Sequence, residues 1–190
     1  MVPGPDYIWS LDGHDKLADW GFEIYAAIDA YSRKIMWIYI GISNRTGHSV
    51  LHQYLHAVEQ TGYLPRILRT DHGTECPLVA EAHYGLSRAA RAAMADSEEE
   101  LELQFKDVFY FGSSTHNQRI ESWWAQLEKS KLYTWRVSRT LNTISDTNTA
   151  IELLQMASFD GPFPQDSSGR HNRYAVYLYA NHSRRGVPVC

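Results

Sequence analysis

The sequence predicts an α/β domain, and three observations carry that expectation. Strand-like runs in the first third bracket a helix-like run, giving the order strand, hairpin, helix, strand. Two of those strand-like runs end at an acid, Asp12 and Asp71, and a crossover through the intervening helix would set them on parallel neighbours. At 190 residues and 44% hydrophobic content, the chain suits one globular domain (1–190) able to bury about 70% of its unfolded surface.

Residues 1–6, with Pro3, Gly4 and Pro5, read as a linker leading into the domain, so the chain is expected to be one piece of a longer protein. Tyr7, Trp9 and Leu11 alternate with Ile8 and Ser10 as in a strand with a buried face, and Asp12 follows where that strand stops. Gly13 to Asp19 is an excursion. Trp20 to Asp29 returns as a strand, and a turn at Tyr31-Ser32-Arg33 closes a hairpin onto Lys34–Ile42, whose unbroken apolar run marks a central strand. Val50, Leu51, Tyr54, Leu55 and Val58 share one face of a helix over Thr46–Gln60, which Gly62 ends. Arg66–Thr70 is the returning strand before Asp71, with Gly73 in the turn beyond.

Further on, a helix rich in small residues spans 77–95, and the acidic stretch 96–102 forms a short helix or a charged loop. Val108–Phe111 is a last short strand. A polar loop then leads into a helix starting near His116, where Ser114 or Thr115 can cap and Thr115 with Gln118 has capping-box spacing. That start puts Ile120, Trp123 and Leu127 on one apolar stripe and Asn117, Glu121, Trp124 and Glu128 on the adjoining one. Residues 136–190 are expected to be a helical extension, with helices over 141–158 and 174–179. There is no internal repeat.

Composition narrows the function classes. The net charge of −4 argues against a protein that coats nucleic acid, yet Asp96, Glu98, Glu99, Glu100 and Glu102 hold five of the 22 acids, and without them 17 acids face 18 Lys and Arg. Two cysteines, Cys76 and Cys190, define neither a metal pattern nor a disulfide framework, so a reducing compartment is the simpler assumption. The longest apolar run is too short to span a bilayer, and the N-terminus lacks a signal core, so no membrane partner is expected.

Glu121 sits at the margin of a core, where a carboxylate must be solvated, paired or bound to a cation. Trp9-Ser10-Leu11-Asp12, Ile28-Asp29-Ala30-Tyr31-Ser32-Arg33, Arg69-Thr70-Asp71-His72-Gly73-Thr74-Glu75 and Asn117-Gln118-Arg119-Ile120-Glu121 occur in this order. In these pieces the chain resembles the retroviral-type integrase catalytic core, especially the transposon-derived integrase-core-like proteins of eukaryotes, over residues 7–135. The gap between Asp71 and Glu121 is longer than is usual there, His14 stands where many members have Thr, and His72 where many have Asn.

The resemblance implies an RNase H-like α/β fold, a mixed five-stranded sheet flanked by helices, with Asp12, Asp71 and Glu121 as an acidic triad. Three gathered carboxylates repel one another until oxygen-preferring cations, Mg²⁺ or Mn²⁺, relieve the repulsion. Two such ions could position a scissile phosphate, Asp12 bridging both, with Asp71 on one and Glu121 on the other. The implied activity is metal-dependent polynucleotidyl transfer, the cutting and joining of DNA strands. A domesticated core kept as a nucleic-acid or protein interaction module and a plain nuclease are the alternatives, and each acid taken singly could be an ordinary turn, cap or surface residue.

Asn117, Arg119, Lys129 and Lys131 are candidate nucleic-acid contacts, with a helix-start role for Asn117 and a solvated face for the others as alternatives. Trp123 and Trp124 could stack on bases or pack in the core. His14, His72 and His116 each stand near a triad acid. His48, His52 and His56 would share a helix face, either as part of a zinc site or as an exposed stripe. Resemblance also implies a homo-oligomer, a dimer, while the missing signal core and the low cysteine count lead to the expectation of an intracellular location, nuclear if the target is chromosomal DNA.

Overall fold

The first three strands form an antiparallel meander, in which a short excursion through Ala18–Trp20 joins the first two and a tight turn joins the second to the almost wholly apolar third. In the computed structural model, which describes residues 2–41, 46–71, 73, 75–95, 102–112, 117–133, 136 and 175–178, these are β1 (Ile8–His14), β2 (Glu23–Asp29) and β3 (Ile35–Gly41). The β2–β3 turn is held by Asp29, 1% exposed. Its carboxylate accepts from the backbone N–H groups of Asp6 (3.1 Å), Tyr31 (3.4 Å) and Ser32 (2.8 Å), and from the Ser32 hydroxyl. Arg33, at φ 64°, completes the turn in the left-handed region.

Helix α1 (Gly47–Thr61) crosses back over the sheet and stops at Gly62, whose φ of 77° is left-handed and whose N–H bonds Val58 O. The chain then enters β4 (Ile67–Thr70), α2 (Cys76–Met94), β5 (Phe109–Phe111) and α3 (Gln118–Leu127), which passes into a π-helical turn at Glu128–Leu132. β1 pairs β2 antiparallel and β4 parallel, β4 pairs β5 parallel, and β2 pairs β3 antiparallel. These five strands, flanked by helices, are the RNase H-like α/β arrangement.

A sixth strand, β6 (Ala175–Leu178), lies parallel to β3 at the edge, giving the order β5-β4-β1-β2-β3-β6. This corrects the helix expected over 174–179: the open edge of β3 supplies ladder partners that a helix there would leave unused. The helix expected over 141–158 lies outside the described residues, as does the acidic stretch 96–102 apart from Glu102, which is exposed.

Two cores divide the sheet faces. On one, Trp9, Leu11, Tyr25, Ala27, Trp37 and Tyr39 pack with Val50, Tyr54 and Ala57 of α1 and Val79 and Ala80 of α2. On the other, Ile24, Ala26, Ile28, Ile38 and Ile40 pack with Ile120, Trp123, Trp124 and Leu127 of α3. Period-two alternation therefore sends Leu11 to the first core and Asp12 and His14 toward α3. Among the described residues no helix is long and apolar enough to cross a membrane.

Candidate active site

Parallel pairing of β1 and β4 sets the first two acids side by side. The register runs Ile8↔Ile67, Trp9↔Leu68 and Ser10↔Arg69, and carried two residues further it brings Asp12 level with Asp71. Asp71 lies just past β4, as expected, but Asp12 does not lie at a strand end. β1 continues to His14 because Asp12 and His14 still pair with Ala26 and Ile24 of β2 after the β4 ladder has stopped.

Helix α3 brings the third acid from the other side. Its stripe of Asn117, Glu121, Trp124 and Glu128 faces β1: Asn117 Nδ2 donates to Leu11 O at 3.1 Å, and Trp124 Nε1 donates to Asp12 Oδ2 at 2.9 Å. The helix begins at Gln118, not near His116, and Asn117 stands at its cap position without capping it, since its side chain is spent on β1. Glu121 is exposed and Asp12 and Asp71 are half-buried. Burial first, then the charges of Asp71 and Glu121, push the Asp12 carboxyl up to about 7 against the opposing pull of the Trp124 and Gly13 hydrogen bonds. Asp12 thus feels the charge of both other acids.

Asp12 and Glu121 line an open cleft of about 550 Å³ together with Gly13, His14, Lys16, Trp124, Ala125, Glu128 and Lys129. The tightest acid cluster among the described residues lies beside it: Asp71, Glu75 and Cys76 hold ligand-capable atoms within 4.8 Å of one another, and neither Asp12 nor Glu121 is part of that group. Burial pushes the Cys76 thiol up to about 11, so it is protonated at neutral pH and its sulfur is a poor partner for a hard cation.

With this geometry in view, the integrase core domain profile matches residues 1–152. The chain belongs to the integrase core domain family. No curated protein matched it. Among solved structures, a chain of the simian T-cell lymphotropic virus intasome in complex with PP2A regulatory subunit B56 gamma matches with a TM-score of 0.46 and 16% identity. The match covers 80% of this chain and 48% of that one, so this chain spans about half the length of the intasome chain.

The other candidate residues of this integrase core take different places in the fold. Asn117, offered as a nucleic-acid contact, is 3% exposed and ties α3 to β1 instead. Arg119 and Lys129 are exposed; the side chain of Lys131, and the whole of His72 and His116, lie outside the described residues. Trp123 and Trp124, 8% and 5% exposed, are core residues and not base-stacking platforms.

His14 does not bond Asp12. It stacks on the Trp124 ring (centroids 4.6 Å, planes 13° apart) and sets Nε2 3.0 Å from Glu128 Oε1. Burial lowers the His14 pKa despite Glu128, so the neutral ring donates its Nε2 proton. Burial would raise Glu128, but His14 and Arg136 outweigh it and hold that carboxyl below its usual value. His48 and His52 are exposed and His56 lies 3.6 Å from Glu59, which makes these histidines a solvent-facing stripe. Lys16 is a cleft residue that sequence reasoning missed, because nothing in the Gly13–Asp19 excursion says which way it folds.

Proposed function

We propose that the chain is the catalytic core of a metal-dependent polynucleotidyl transferase that cuts and joins DNA strands, with Asp12, Asp71 and Glu121 as its triad. The observation that carries this reading is Asp12 itself, an acid that burial, and after it two neighbouring carboxylates, push up to about 7. Such a group is maintained at a cost to the fold unless a cation offsets it, and clustered, perturbed acids in a cleft mark functional sites.

The donor set fits Mg²⁺ or Mn²⁺, since all three residues offer hard carboxylate oxygens. Asp12, Asp71 and Glu121 would hold the ions between them. Bound there, the ions would activate a water or 3′-hydroxyl and stabilise the leaving oxygen. The chain's own residues do the positioning: Trp124 fixes one oxygen of Asp12, Asn117 fixes α3 on β1, and exposed Lys16, Lys129 and Arg119 would take the phosphates of DNA. With a net charge of −4, DNA affinity from this piece alone would be modest and salt-sensitive. Work as a homodimer, and in the nucleus where the target is chromosomal, belongs to the same proposal.

The test is a labelled DNA duplex incubated with the protein in Mg²⁺ or Mn²⁺, for the parent and Glu121→Gln. The expected result is cleavage and strand joining by the parent, falling to background in the variant. Cleavage without joining would make it a plain nuclease. DNA binding with no turnover in either protein would leave a core kept as an interaction module.

A further inference from the structure

Trp124 is buried among core residues, yet its one polar atom is aimed at the acid that the proposed function depends on. Its indole N–H donates to Asp12 Oδ2 at 2.9 Å across 112 residues of sequence. An indole has one donor and no acceptor, so the direction of this bond is fixed and Asp12 must accept. The ring has little freedom to turn away. His14 lies nearly parallel to it at 4.6 Å, and Trp123 packs against it at 4.5 Å with planes 52° apart. His14 is in turn held by Glu128 at 3.0 Å, and Arg136 takes both oxygens of Glu128 through its two terminal nitrogens.

We infer that Trp124 is a positioning residue that holds the Asp12 carboxylate in its cation-binding orientation, and that His14, Glu128 and Arg136 brace the indole. The inference rests on the reading of Asp12 as a metal ligand. A neutral donor is well matched to that role, because it stabilises the ionised carboxylate and fixes one oxygen but adds no positive charge to compete with an incoming cation. Lysine or arginine in the same place would do the first and spoil the second. Partners of this kind orient ligands in metal sites, and removing one typically lowers metal affinity about 10–100-fold. A residue present only for packing would need no N–H here.

The probe is MgCl₂ added to ¹⁵N-indole-labelled protein, followed by NMR, with calorimetry for affinity. The expected result is a saturable shift of the Trp124 Nε1–H resonance in the parent that is absent in Asp12→Asn. The resonances of Trp9, bonded to Asp6, and Trp37, bonded to Gln53, should stay in place. Trp124→Phe, which keeps an aromatic ring and removes the donor, should bind Mg²⁺ about 10–100-fold more weakly while its circular dichroism matches the parent. Should the Phe variant not fold, the indole response of the parent against Asp12→Asn decides alone. A parent that binds Mg²⁺ with no movement of the Trp124 signal, or a folded Phe variant of equal affinity, overturns the positioning role and leaves the triad reading standing. A parent that binds no Mg²⁺ overturns both.

Discussion

At the scale of single residues, Asp12 shows how the fold sets chemistry. An acid whose folded pKa lies above its unfolded value stabilises the fold only while protonated. For Asp12 that contribution is whole below 3.8 and is lost as pH rises through about 7. Asp12→Asn should therefore stabilise the metal-free protein at pH 8 by about 1–4 kcal/mol, and change it little near pH 4, since each pKa unit corresponds to about 1.4 kcal/mol. Urea denaturation at the two pH values checks this; an equal effect at both would count against it. Asp29 gives an independent test away from the cleft. Its buried carboxylate accepts from three backbone N–H groups and a hydroxyl, so Asp29→Ala should cost about 2–4 kcal/mol in the same denaturation experiment. Asp12, Asp71 and Glu121 were legible as site candidates because motif and position single them out. The bond from Trp124 was not, because the sequence shows the stripe that carries Trp124 but not the strand facing it.

At the scale of elements, α3 is the part that completes the site, and its seat on β1 depends on one buried amide. Asn117 Nδ2 bonds Leu11 O, one residue before the first acid. Asn117→Ala should destabilise the protein by about 1–3 kcal/mol, because a buried carbonyl loses its side-chain donor. It should also weaken Mg²⁺ binding, since Glu121 rides on the same helix. Unchanged stability and affinity in Asn117→Ala would show that the amide is dispensable. The stripes of α3 were readable from its 3.6-residue period, and so were α1 and its glycine stop at Gly62. The start of α3 was placed about two residues early because Thr115 and Gln118 have capping-box spacing in sequence, whereas the helix begins at Gln118, after Asn117. β6 was misread for a related reason: four residues are too few for period alone to separate helix from strand, and the edge of β3 that recruits them is remote in sequence.

At the scale of the whole molecule, the architecture explains how Asp12 and Glu121, far apart in sequence, come to line one cleft with the charge of Asp71 beside Asp12. A hairpin places β1 at the middle of the sheet, a crossover through α1 lays β4 parallel to it, and α3 packs back over the opposite face from α1 and α2. That layout was legible through residue 71, where strand, hairpin, helix and strand follow in order. The long stretch between Asp71 and Glu121 gave no distance from which to judge how near the third acid would come. A fold that gathers like charges should gain stability from a cation bound only in the folded state, about 2.7 kcal/mol when the cation is at 100 times its Kd.

Thermal denaturation at pH 8 across a MgCl₂ series measures that gain directly, for the parent and for Asp12→Asn, Asp71→Asn, Glu121→Gln and Glu75→Gln. The account predicts a midpoint that rises with Mg²⁺ in the parent and in Glu75→Gln, and a rise largely lost in each of the other three. A parent indifferent to Mg²⁺ would contradict it. So would a response that survives in Glu121→Gln and vanishes in Glu75→Gln, which would place the cation at the neighbouring Asp71–Glu75 cluster.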